Sequence, residues 1–151
     1  MRIFESLDEL RGAAGEHLGE SEWLTVDQAR VDAFADATGD HQWIHVDVSR
    51  AQRESPYGGT IAHGYLTLSL IAAVIDQVVS VRGCSYAVNY GCNRVRFPAP
   101  VAVGSRVQAS ASLASVDDVP GGVQVVTAWT FTVEGAAKPC CVAETVTRYY
   151  S

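Results

Sequence analysis

The chain has 151 residues, 48% of them hydrophobic and 19% charged, with a formal net charge of −6. That length suits one domain with a single core of modest size, and the composition is that of a folded globular protein rather than a disordered one. Acidic balance and a single lysine, Lys138, make a surface that repels phosphate backbones, so no nucleic-acid partner is expected.

Ser6 to Glu9 has the spacing of a capping box, so a short helix is predicted from there, fraying at Gly12 or Gly15. Glu22 to Val26 reads as a short strand. Thr25 and Gln28 form a second capping-box pattern. Behind it Val31, Phe34, Ala35 and Thr38 recur at three- and four-residue spacing, the buried face of a helix. Gly39 is placed to end that helix, so Asp40 opens a loop held by a packed element. Residues 47–60 are polar and turn-rich, with Pro56, Gly58 and Gly59.

From Ile61 to about Val79 the pattern is apolar all round, which predicts one long buried helix. Its apolar run, roughly 61–75, falls short of the ~20 residues a membrane span needs. The acidic N-terminal segment lacks the apolar stretch of a secretory leader. One cytoplasmic domain over residues 1–151, without membrane contact, is expected.

The C-terminal half alternates. Val107, Ala109, Ala111 and Leu113 share one face, and Val125, Thr127, Trp129, Phe131 and Val133 share another. Asp117 to Gly122 reads as a turn, and Cys140 to Tyr150 is rich in Val, Thr and Tyr. Tyr86 to Phe97 adds a strand stopped by Pro98 and Pro100. These are antiparallel strands with short connections. About five strands around one apolar helix make an α+β fold with an open sheet edge, for which edge-to-edge dimerisation is the expected remedy.

The cysteines, Cys84, Cys92, Cys140 and Cys141, form no C-x-x-C pair and read as reduced, strand-borne small hydrophobes. His41 and His45 are four residues apart but lack a nearby third ligand, so no metal site is expected.

Asp40 and His45 stand out as an acid and an imidazole five residues apart after a helix-ending glycine. They fit a general acid–base pair, an imidazole titrating near neutrality beside a partly buried carboxylate. They equally fit a turn cap and a surface histidine. His63-Gly64 opens the apolar run. It reads either as a tightly packed helix start or as an electrophilic site, where the Gly64 N–H and the helix dipole hold a developing oxyanion. Ser69 is expected to bond back to a helix carbonyl. Asp76 is placed near the helix exit. Asn93 is a lesser candidate, and Arg94 and Arg96 meet either solvent or phosphates.

The segment G-D-H-Q-W-I-H-V-D, followed by T-I-A-H-G and later V-R-F-P-A-P-V-x-V-G-S, resembles the MaoC-like family of (R)-specific enoyl-thioester hydratases and dehydratases, above all the mycobacterial-type 3-hydroxyacyl-thioester dehydratases. The likeness runs from about Trp23 to Tyr150. The family's usual first motif is G-D-x-N-P-x-H; Gln42 and Trp43 replace its Asn and Pro, while Asp40, His45 and their spacing are kept.

The resemblance implies a hot-dog fold, a curved antiparallel sheet around a long helix, in a single unit that forms a homodimer. It implies that Asp40 and His45 activate one water and that the Gly64 N–H, beside His63, binds the thioester oxygen. The expected reaction is reversible syn hydration of a trans-2-enoyl thioester to the (R)-3-hydroxyacyl product, with no cofactor. The carrier is coenzyme A or an acyl carrier protein. Two alternatives stand beside it. One is a hot-dog acyl-thioesterase, for which Asp76 is the only acid on the central helix and lies far from its N-terminus. The other is a non-catalytic acyl-thioester-binding module.

Overall fold

The computed structural model describes residues 1–151. It opens with β1 (Arg2–Phe4) and α1 (Leu7–Arg11), the latter capped by the Ser6 hydroxyl, which accepts from the Glu9 N–H at 3.1 Å. Strands β2 (His17–Glu20) and β3 (Leu24–Thr25) follow. Next come helices α2 (Gln28–Thr38), α3 (Trp43–Val46) and α4 (Val48–Glu54). The predicted cap at Thr25 is corrected, because Asp27 caps α2 through the Arg30 N–H. Within the turn-rich 47–60 segment, Asp47 caps α4 in the same way, so a polar stretch holds a helix with little apolar face.

The apolar run does not form one continuous helix. It forms α5 (Gly64–Ser69) and α6 (Ile71–Val78), parted at Leu70. The Ser69 hydroxyl donates back to the Tyr65 carbonyl at 2.7 Å, and the Ala73 N–H reaches only three residues back, to Leu70. Such back-bonding and tight pitch bend a helix. Nor is the run buried on every side: Tyr65, Ser69, Ala72 and Asp76 form an exposed stripe. Leu66, Leu70, Val74 and Val78 form the face that enters the core.

After β4 (Val79–Val81) come the long strands β5 (Tyr86–Arg96), β6 (Arg106–Val119), β7 (Gly122–Val133) and β8 (Pro139–Tyr150). The main sheet has six strands in the order β2-β6-β7-β8-β5, with β3 also pairing with β6. Its ladders are antiparallel throughout. β1 and β4 form a separate parallel pair, a ladder too short to have left a period in the sequence. Val119 pairs with Gly122, so the β6–β7 turn is Pro120-Gly121 alone and the predicted turn at 117–122 is mostly strand.

Alternation holds along β6 and β7, whose inward residues Val107, Ala109, Ala111, Leu113, Val123, Val125, Trp129 and Phe131 pack against the helix face. β5 differs, since nearly all of its residues are exposed and its outer edge has no partner strand. Cys140 and Cys141 are buried in β8 as expected, but Cys84 sits in the β4–β5 connection and Cys92 is exposed. No helix is long and apolar enough to cross a membrane.

Candidate active site

The site begins at the end of α2. Gly39 adopts φ 79°, a left-handed conformation that closes the helix through its N–H to the Ala35 carbonyl and that glycine accepts without strain. The chain then reverses into Asp40, whose carboxylate takes the Gln42 N–H at 3.3 Å in a local turn that sets up α3. The carboxylate is solvent-exposed, not partly buried as the acid–base reading supposed. His45, in the single turn of α3, is buried.

The His45 ring is fixed by its Nδ1, which lies 2.7 Å from the Ile61 carbonyl. A carbonyl can only accept, so Nδ1 carries the proton and Nε2 is left with the free lone pair. The peptide of His45 is held as well. The Gln28 amide donates to the His45 carbonyl at 2.8 Å, while its oxygen accepts from the Thr60 hydroxyl at 2.7 Å. Gln28 therefore bridges α2, α3 and the strand-like segment before α5, a role its capping-box spacing did not reveal.

The three motif segments meet here. The Ile61 N–H donates to the Ile44 carbonyl at 3.0 Å and the Ala62 N–H to the Val101 carbonyl at 2.8 Å, while Ile61 bridges Ala102. A cavity of about 370 Å³ opens between them, lined by His45, Gly64, Thr67 and Cys140, by Tyr57, Ile61 and Ala62, and by the Phe97–Val101 turn. The Gly64 N–H makes no hydrogen bond within the chain. A Cβ at Gly64 would lie 2.8 Å from the Phe97 ring, so the backbone there stays bare because an aromatic ring occupies the side-chain position. Burial pushes the Cys140 thiol up to about 11, which leaves it protonated and inert at neutral pH.

Asp40, His45 and His63 each bring a ligand-type atom within 4.8 Å of the others. Three of the four ring nitrogens are unavailable, His45 Nδ1 being bonded to the Ile61 carbonyl. His63 Nε2 donates to the Asp40 carbonyl at 2.9 Å, and His63 Nδ1 is sealed from solvent with no partner. What remains free is one exposed carboxylate and one imidazole nitrogen, two donors rather than the three or four of a metal centre; His45 lines the cavity, and Asp40 lies outside its lining. The 4.8 Å bound on the group is of the order of the roughly 4.6 Å spanned by two hydrogen bonds of ~2.8 Å at a tetrahedral oxygen.

His63 does not line the cavity but packs behind His45. Trp43 and Tyr65 do not line it either. The Trp43 ring lies under the Arg50 guanidinium at 4.3 Å, and Tyr65 is 71% exposed. Tyr57, from the turn-rich segment, and Phe97, from the V-R-F-P-A-P motif, contribute aromatic rings to the wall. His41 turns away to pair with Asp36 at 2.9 Å, which raises its pKa. Asp76 and Asn93 line neither this cavity nor the larger one of about 580 Å³ between α5–α6 and strands β5, β7 and β8. Arg94 and Arg96 are exposed on β5.

Residues 9–134 match the family model described as MaoC like domain. The chain is 55% identical to 3-hydroxyacyl-thioester dehydratase Z of Mycobacterium tuberculosis over 99% of both chains. It is 46% identical to nodulation protein N of Rhizobium leguminosarum bv. viciae, over 94% of this chain and 89% of that one. Among solved structures, a monoamine oxidase regulatory protein from Archaeoglobus fulgius superposes with a TM-score of 0.82 at 25% identity, covering 99% of this chain and 97% of that one. An R-hydratase from Pseudomonas aeruginosa, at 23% identity, TM-score 0.75 and coverage of 97% and 86%, shares the fold. With its motif segments folded around one cavity and matched at this level, the chain belongs to the MaoC-like family and has its hot-dog fold.

Proposed function

We propose that this chain is a 3-hydroxyacyl-thioester dehydratase, an (R)-specific enoyl-thioester hydratase acting in either direction, with Asp40 and His45 as its acid–base pair. The observation that carries the reading is the pair itself: a carboxylate and an imidazole with ligand-type atoms within 4.8 Å of each other, the imidazole lining a cavity that Gly64, whose N–H is unpaired, lines as well. The full-length identity to the mycobacterial dehydratase supports the same chemistry.

In the hydration direction, Asp40 and His45 Nε2 hold one water. With Nδ1 occupied by the Ile61 carbonyl, Nε2 is the proton acceptor. The water oxygen bonds to the β-carbon as its proton passes to Nε2, and the double-bond electrons move onto the thioester oxygen. The Gly64 N–H stabilises that negative charge. The α-carbon then takes a proton from the pair on the same face, so one water has been added syn. Dehydration is the reverse. The 151 residues act as one catalytic unit on a coenzyme A or acyl-carrier-protein thioester in the cytoplasm. Two copies associate through the unpaired edge of β5.

The test is loss of the conjugated enoyl-thioester absorbance with crotonyl-CoA, alongside a thiol reagent that reports hydrolysis. Absorbance loss without thiol release is expected, with Asp40→Asn and His45→Gln each slower by on the order of 100-fold or more. Unchanged turnover in both variants overturns the assignment, and thiol release points to a thioesterase.

A further inference from the structure

We propose that His63 is a positioning residue that locks the two members of the acid–base pair to one another; the inference rests on the reading of Asp40 and His45 given above. Its side chain touches both. The Nε2–H donates to the Asp40 backbone carbonyl at 2.9 Å, which holds the loop that carries the carboxylate. The ring stacks on His45 with centroids 3.9 Å apart and planes inclined by 27°. Phe34 of α2 also lies against it, at 5.0 Å and 51°. The column Phe34–His63–His45 thus joins α2, the start of α5 and α3, which are the three elements that deliver the site.

The hydrogen bonding of the column fixes its protonation pattern. The Asp40 carbonyl can only accept, so His63 carries its proton on Nε2. Its Nδ1 is buried and has no partner, so a second proton there would have no acceptor.

Stability alone does not account for an imidazole in this place. His63 is 3% exposed, and a buried polar atom without a partner costs free energy. A phenylalanine, with a somewhat larger ring, would bury no unpaired polar atom there. The Asp40 carbonyl, on an exposed loop residue, can turn to water when its donor is removed. What the histidine supplies, as the smallest aromatic side chain with a donor, is a rigid ring and an N–H together, and small misplacements of a reacting group are costly to rate.

The test compares His63→Phe, which keeps the ring and loses the donor, with His63→Gln, which keeps a donor and loses the ring. The expected result is a His63→Phe protein that melts at or above the wild-type temperature. Its kcat falls on the order of 10- to 100-fold, while KM stays within about threefold. His63→Gln recovers part of the lost kcat. Wild-type kcat in His63→Phe overturns the proposal, as does a loss of kcat that merely follows the loss of melting temperature in both variants. Nitrogen-15 spectra of the unmodified protein at about pH 8, above the ordinary imidazole range, give a reading independent of any variant. The expected pattern is His63 protonated on Nε2 and His45 on Nδ1, and His63 protonated on Nδ1 overturns it. If Asp40→Asn and His45→Gln leave turnover intact, the acid–base reading itself has failed. If they abolish turnover while His63→Phe is fully active, only the role of His63 has failed.

Discussion

The backbone at Gly64 and the ring of Phe97 share one space: a Cβ on Gly64 would stand 2.8 Å from Cδ2 of that ring. Phe97 lies just past the end of the edge strand β5 and Gly64 at the start of α5, so this contact forms one corner of the cavity. Gly64→Ala must displace the ring or shift the helix. Overpacking of this kind costs roughly 1–3 kcal/mol. A lower urea midpoint is expected for Gly64→Ala, restored to that of Phe97→Ala alone in the double variant. Equal midpoints for Gly64→Ala and wild type would show that the ring yields freely.

Asp40 and His45 sharing one water has a kinetic signature. Groups that act as a unit do not lose their contributions independently. The double variant Asp40→Asn, His45→Gln is expected to turn over within about threefold of the slower single variant. Losses that multiply in steady-state assays would mean that the two side chains serve separate steps.

Burial makes the protein sensitive to alkali. Cys140 is raised from 9.0 to about 11 by burial, Cys141 from 9.0 to about 12 by burial and then by neighbouring cysteines, and Tyr149 from 10.0 to about 12 by burial. Each is neutral when protonated, and the unfolded chain releases these protons at lower pH than the folded one. Their contribution is therefore intact below about pH 9 and is lost as pH rises through 11 to 12. Urea midpoints should hold level up to about pH 9 and then decline. The decline should be shallower in Cys140→Ala, Cys141→Ala.

The unpaired edge of β5 predicts self-association. Light scattering should give twice the chain mass at micromolar concentration. Charges on that exposed strand, Val88→Glu with Tyr90→Glu, should shift the protein toward the single chain, since unpaired like charges on an edge oppose strand pairing. A single-chain mass in the unmodified protein would remove the edge-pairing reading.

Much of this molecule was legible before folding, because much of it is written in local patterns. The alternation of Val107 to Leu113 and of Val125 to Phe131 determined β6 and β7 and their inward faces. Ser6 determined the start of α1, and Gly39 the end of α2, because caps and left-handed turns depend on residues a few places apart. The G-D and H-G motifs singled out Asp40, His45 and Gly64 for the same reason.

Strands β1, β2 and β4 were not legible, being too short to show a period. The break at Leu70 and the exposed stripe from Tyr65 to Asp76 were hidden too, since composition states how apolar a helix is but not what covers it. Only the tertiary structure decided that Gln28 ties Thr60 to His45, that Phe97 fills the side-chain space of Gly64, and that His63 faces Asp40 and His45 rather than the cavity. These are single contacts between segments far apart in the chain. They arise when the core brings α2, α3, α5 and the end of β5 together, and no local spacing records them.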